Sequence, residues 1–163
     1  MSKPEGLLNR ANLSNEKHAL NWTQGKAAAR IVHFYLLNRG IGNIVLEEDV
    51  QGNNGRQYDL DIRIGEFVLD VKSSQMGVLT VPDGQRRLPC SAYAFVSIDS
   101  GNCSWQFWGW IDKEQFWEIA IPARKGEPID ARDGRARWAF YNLHYLRPVN
   151  LQPPTTIVEL LGD

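Results

Sequence analysis

The stretch Tyr58-Asp59-Leu60-Asp61-Ile62-Arg63-Ile64-Gly65-Glu66-Phe67-Val68-Leu69-Asp70-Val71-Lys72-Ser73-Ser74 decides how this chain is read. Leu60, Ile62 and Ile64 alternate with Asp59, Asp61 and Arg63; Phe67, Leu69 and Val71 alternate with Val68, Asp70 and Lys72. Period-two patterning on both sides of Gly65-Glu66 predicts two antiparallel strands joined by a tight hairpin. Glycine at the first central position suits a two-residue type II′ turn. If Ile64 pairs with Phe67, Asp61 falls opposite Asp70 and Asp59 opposite Lys72, and the apolar set shares the other face. Directly opposed side chains on one face have Cβ atoms about 4.5–5.5 Å apart. Three carboxylates and one lysine are therefore expected to converge.

Asp59 against Lys72 alone would be an ordinary solvent-facing ion pair, contributing about 0–1 kcal/mol. Asp61 against Asp70 is different, because like charges directly opposite destabilise a strand pair. At ~4 Å their repulsion is ~1 kcal/mol in water and ~4 kcal/mol at an effective dielectric near 20. A divalent cation, or a shifted pKa on one acid, removes the objection. Oxygen-only ligands select hard cations such as Mg²⁺ or Mn²⁺, and the hairpin holds no Cys or His that would suit zinc. Such a metal activates a bound water and polarises a phosphoryl oxygen. A neighbouring lysine positions or helps deprotonate that water, or steadies the charge growing in the transition state. The chemistry points to metal-assisted phosphodiester hydrolysis.

Working outward, the sequence reads as helix from Ser14, with a possible break near Gly25. Over about 25–39, Ala28, Ile31, Val32, Tyr35 and Leu36 form one apolar stripe and Gly40 supplies a left-handed stop. Ile44–Leu46 reads as a short strand, and Gln51-Gly52-Asn53-Asn54-Gly55 as a turn. Met76–Pro89 reads as a loop exposing Arg86 and Arg87. Ala92–Ile98 and Gln106–Ile111 read as strands, and Asp112 with Gln115 resembles a capping box opening a helix over Lys113–Ile119. Pro122–Arg137 reads as a basic loop, and a short strand is expected near Trp138–Asn142, before Pro148, Pro153 and Pro154 interrupt regular structure.

Length and composition suit one domain over 1–163, with a core over about 14–120 and a loop-rich extension over 121–163. The hydrophobic share of 43% and charged share of 23% exclude wholesale disorder. No stretch approaches the ~20 apolar residues of a membrane span, and Met1-Ser2-Lys3-Pro4-Glu5 opens no signal-peptide apolar core. Cys90 and Cys103 form no disulfide framework, so a reduced, cytoplasmic setting is expected. The net charge of −1 hides a segregation: residues 1–40 carry six basic and two acidic side chains, residues 41–80 three and seven. Arg86, Arg87, Arg124 and Lys125 are candidates for DNA phosphate contacts. Four of the six tryptophans lie between 105 and 117, where strand alternation and a helix start make them mostly core. His18, His33 and His144 read as surface or internally satisfied side chains.

Tyr58-Asp59-Leu60-Asp61-Ile62, then Asp70-Val71-Lys72-Ser73-Ser74 after a hairpin turn, resembles the PD-(D/E)xK nuclease signature. The order of helix, short strand, acidic hairpin, further strands and helix is similar too. The run from Ala92 to Trp117 also resembles the segment downstream of the motif in small phage and restriction-type members. The resemblance spans about residues 25–120. It implies an α/β fold with a restriction-endonuclease-like core, a mixed central sheet flanked by helices. It also implies a Mg²⁺- or Mn²⁺-dependent endonuclease that hydrolyses DNA, with Asp70 as metal ligand and Lys72 as the motif lysine. The first aspartate is Asp59 by resemblance or Asp61 by register. Both strands of a duplex call for a homodimer. Many members place a glutamate on the first helix after a glycine, but here Gly25 is followed by Lys26-Ala27-Ala28-Ala29-Arg30. Glu16 or Glu47 could supply the acid. The second reading is a catalytically inactive nucleic-acid-binding or interaction module with the same fold.

Overall fold

The computed structural model describes residues 13–46, 50–51, 57–58, 61–75, 77–99, 101, 103–130 and 136–162. Side chains are described from residue 24 on, apart from those of 50–51, 57–58, 130 and 136. Asp59, Leu60, Glu16, Glu47 and the turn residues 52–55 lie outside what is described.

Helix α1 (Leu13–Asn38) runs without interruption through Gly25, where the sequence left room for a break. Its buried stripe is Ala28, Ala29, Val32 and Leu36. The helix closes as a Schellman motif: Gly40, at φ +82°, donates to Leu37 O and Ile41 donates to Leu36 O. Gly40 is in the left-handed region, and Ile41 folds back into the same apolar cluster as Leu36.

Five strands form the central mixed sheet, in the order β1 (Ile44–Leu46), β4 (Ile62–Ile64), β5 (Phe67–Ser74), β7 (Ala92–Asp99), β8 (Ser104–Asp112). β4 pairs antiparallel with β5 in the expected register, Ile62 opposite Leu69 and Ile64 opposite Phe67. Gly65 has φ +61° while Glu66 stays negative, the pattern of a type II′ turn. Of the first hairpin strand, Ile62–Ile64 is described. Gln57–Tyr58 (β3) pairs instead with Val50–Gln51 (β2), so residues 57–58 do not extend the β4 ladder.

β5 and β7 run parallel, and β7 and β8 antiparallel, with a register shift between Phe95 and Val96. β7 is buried on both faces, as a near-continuous apolar run requires. Ala92, Ala94 and Val96 meet Ile62, Leu69, Val71 and the α1 stripe on one face. Tyr93 and Phe95 meet Leu79, Val81, Ile111, Phe116 and Leu146 on the other.

That second layer was not expected. The 76–89 segment contains β6 (Leu79–Pro82) and a 3₁₀ turn over Asp83–Gln85. The 121–163 segment is also more structured than a loop-rich extension: β9 (Ile121–Ala123), β10 (Pro128–Asp130), β11 (Ala136–Trp138), β12 (Leu143–Leu146) and α3 (Pro154–Leu161). β6, β12 and β9 form a separate antiparallel sheet, and β10 pairs with β11. Proline at 153 and 154 starts α3 rather than ending regular structure, since proline is tolerated in a first helical turn. Ile157 of α3 is fully buried against the α1 side of the sheet. α2 (Lys113–Ile119) lies as expected, but Asp112 makes no side-chain cap. Among the described residues the architecture is mixed α/β, with a mixed sheet and three α-helices.

Candidate functional site

Asp70 and Lys72 are two positions apart on β5 and therefore share a face. It is the face turned toward β6, α2 and β12, and not toward solvent. Asp70 is 2% exposed. Its Oδ2 lies 3.0 Å from Lys72 Nζ as an ion pair, yet accepts no well-formed hydrogen bond within the protein. Isolated burial of a carboxylate is costly, and the ammonium beside it is the compensation the fold provides. Burial pulls Lys72 down, but the charges of Asp70 and Asp61 outweigh it and hold the ammonium above its ordinary value.

Asp61, just before β4, is also buried, at 3% exposure. In the hairpin's alternation the Val71 N–H points toward the strand bearing Asp61, beyond the last described ladder pair. Asp61 Oδ2 accepts that N–H at 2.7 Å. Asp61 and Asp70 thus belong to one electrostatic cluster around Lys72, two of the three carboxylates that register places there. The Lys72 ammonium and the Val71 N–H offset the two negative charges, whose repulsion burial by itself strengthens. Asp59, the other candidate for the first acid, lies outside the described residues.

A further partner carries no local signature in the sequence. Gln85, at the end of the 3₁₀ turn, accepts a hydrogen bond from Lys72 Nζ through its Oε1. The turn is fastened to β12: Asp83 N–H donates to Asn142 O at 3.0 Å, and Asp83 Oδ1 sits 2.7 Å from His144 Nδ1. His144 is accordingly engaged internally.

Beside this cluster a cleft of about 920 Å³ is bordered by Arg86, Cys90, Asp112, Lys113, Trp117 and Glu118. Neither Asp70 nor Lys72 lines it. It adjoins them through Cys90, whose thiol is pushed up by burial and by Asp70, with Lys72 and Lys113 opposing. Arg86 stacks its guanidinium 5.1 Å from the Trp117 ring centroid. Arg87 is exposed but is not part of the cleft, and Arg124 and Lys125 are exposed on the loop after β9. Of the basic candidates, only Arg86 is brought to the cleft. Trp108, Trp110 and Trp117 each donate their indole N–H to an internal hydroxyl, on Ser97, Thr156 and Tyr93, as core residues do. Trp105 and Trp138 are exposed.

The oxygen atoms gathered here are of the kind hard cations bind, with Asp70 Oδ2 ion-paired to Lys72 and Asp61 Oδ2 accepting the Val71 N–H. Mg²⁺ is commonly held by one or two carboxylates, with waters and substrate phosphates completing its shell. Among the described residues, however, no three His, Cys, Asp or Glu side chains are grouped so as to hold a metal. No helix among them is long and apolar enough to cross a membrane. Comparison of the chain with protein-family models, with curated proteins and with solved structures finds no match.

Proposed function

We propose that this chain is a metal-dependent endonuclease of the PD-(D/E)xK kind, with a restriction-endonuclease-like core, that hydrolyses DNA phosphodiester bonds. The observation that carries the reading is the buried Asp70–Lys72 pair on the second hairpin strand, with Asp61 brought to the same lysine from the first. Two buried carboxylates directly opposed across a strand pair repel each other, a cost that a bound cation would offset.

Asp70 would hold Mg²⁺ or Mn²⁺, with Asp61 or Asp59 as the second carboxylate; when bound, the metal supplies Lewis-acid polarisation of the phosphate and an activated water. Lys72 keeps its proton at neutral pH, so its part is to donate, orienting the attacking water or meeting charge that develops on phosphoryl oxygen. Water adds to phosphorus, the bond to one ester oxygen breaks, and that oxygen leaves as the alcohol after taking up a proton. Arg86, at the neighbouring cleft, is suited to an adjacent phosphate. A homodimer would let two such sites cut both strands.

The test is incubation with plasmid, single-stranded and four-way-junction DNA in Mg²⁺ or Mn²⁺, beside Lys72→Ala and Asp70→Asn. Cleavage that needs the metal and falls by at least ~10²-fold in both variants supports the nuclease, a loss of the size seen on removing one transition-state donor. DNA binding without cleavage, unchanged in both variants, replaces it with the inactive binding module. That second reading draws on Asp61, whose Oδ2 already serves the Val71 N–H.

A further inference from the structure

We propose that Gln85 is a positioning residue that fixes the Lys72 ammonium over the Asp70 carboxylate and leaves one N–H of that ammonium directed to a substrate oxygen; this rests on the nuclease reading above.

An ammonium has three donors and no acceptor. For Lys72 the described residues provide two oxygen partners, Asp70 Oδ2 and Gln85 Oε1. The amide orientation follows from chemistry, because an amide NH₂ facing an ammonium would set donor against donor. Two partners from different elements fix the direction of a side chain that otherwise has four rotatable bonds. The donor capacity left beyond this hydrogen bond and ion pair has no partner among the described residues, and a phosphoryl oxygen or water can take it.

Gln85 can perform this task because its own backbone is fixed. The 3₁₀ turn is closed by Arg86 N–H donating to Asp83 O and Leu88 N–H donating to Gln85 O. Asp83 is anchored to β12 through Asn142 and His144, and Arg86 leans on Trp117 of α2. The turn therefore bridges both elements that cover this face of the sheet. A glutamine suits the position better than an acid does. It accepts from the lysine without adding a third negative charge to Asp61 and Asp70, where the phosphate must approach. Lysine alone is a flexible point charge, and an error near 1 Å in a catalytic donor can cost ~10²-fold.

The test uses Gln85→Met, which keeps most of the volume without an acceptor, and Gln85→Glu, which keeps an acceptor oxygen. The Lys72 ammonium is followed by ¹⁵N NMR, assigned by its loss in Lys72→Ala, and cleavage kinetics are measured in parallel. In the native protein the Lys72 NH₃⁺ signal should be ordered and protected from solvent. Gln85→Met should broaden or abolish it and lower kcat ~10–100-fold with KM nearly unchanged; Gln85→Glu should restore the ordered signal. A fold that was merely loosened would lose other core signals and shift KM as well, and that result overturns the proposal. So does an ordered Lys72 signal, or an unchanged kcat, in Gln85→Met. If the native protein cleaves nothing, the nuclease reading falls and the catalytic role of Gln85 with it. The NMR arm then separately decides whether Gln85 orders Lys72.

Discussion

Replacing Asp61 by alanine removes the acceptor of the Val71 N–H while leaving every apolar contact of the hairpin in place. That N–H lies between two strands, 2.7 Å from the carboxylate it serves. Among the described residues it has no ladder partner, since the β4–β5 pairs described there begin at Ile62. A hydrogen bond to a charged group contributes about 1.5–3 kcal/mol, and a buried donor left unsatisfied costs about 1–3 kcal/mol. These are two views of one loss, so Asp61→Ala should destabilise by about 2–3 kcal/mol. With a urea m-value of about 1–3 kcal/mol/M the midpoint falls by roughly 1 M at unchanged m. Asp61→Asn keeps an acceptor oxygen and loses only the charge near Lys72, so it should recover at least half of the loss. Equilibrium urea unfolding followed by tryptophan fluorescence measures both. A midpoint for Asp61→Ala equivalent to less than about 0.5 kcal/mol from the native protein would refute the argument, and so would an asparagine variant as weak as the alanine one.

Other consequences of the same geometry are open to measurement. Gly109, at φ +150°, would place a Cβ 2.1 Å from Gln152 O, a backbone atom that cannot step aside. Gly109→Ala should break the paired bonds between Trp110 and Gln152 and cost about 2–4 kcal/mol by thermal unfolding, at the upper end for overpacking. Loss of the Trp110 indole bond to Thr156 Oγ1, 2.8 Å long, in Thr156→Val should cost about 1 kcal/mol in the same assay. The Cys90 thiol is held above its ordinary value of 9.0 by burial and by Asp70. A disulfide reagent at about pH 8 should therefore modify exposed Cys103 rapidly and Cys90 slowly; equal rates would contradict this. Because the folded thiol keeps its proton more tightly than the unfolded one, its contribution to stability is complete below about pH 9 and is lost as pH rises through the folded value. Urea midpoints of the native protein and Cys90→Ala should converge along that alkaline limb.

The elements legible in the sequence are those whose cause is local. The apolar stripe of α1 with its Gly40 stop, the alternation about Gly65-Glu66, the apolar run of β7 and the short helix α2 each follow from residue spacing and one backbone preference. The break near Gly25 did not materialise, because a glycine costs a helix only ~1 kcal/mol and the stripe from Ala28 to Leu36 is well buried. The hairpin register, and with it the meeting of Asp61, Asp70 and Lys72, could be computed from the turn alone.

The parts that spacing leaves open depend on partners distant in the chain. Thr80 and Val81 became strand because β12, far along the sequence, pairs with them. Pro154–Leu161 became helix against a core built by α1 and the sheet. The charged face of the hairpin is covered by those later elements, which makes Asp70 a buried charge and Lys72 its necessary partner. Gln85 enters the site only because its turn is anchored to β12 and α2. Residue spacing determined which side chains share a strand face, since pleat and turn geometry are set within a few residues. Burial and hydrogen-bond partners were decided by tertiary structure, because they depend on which distant surfaces exclude water from that face.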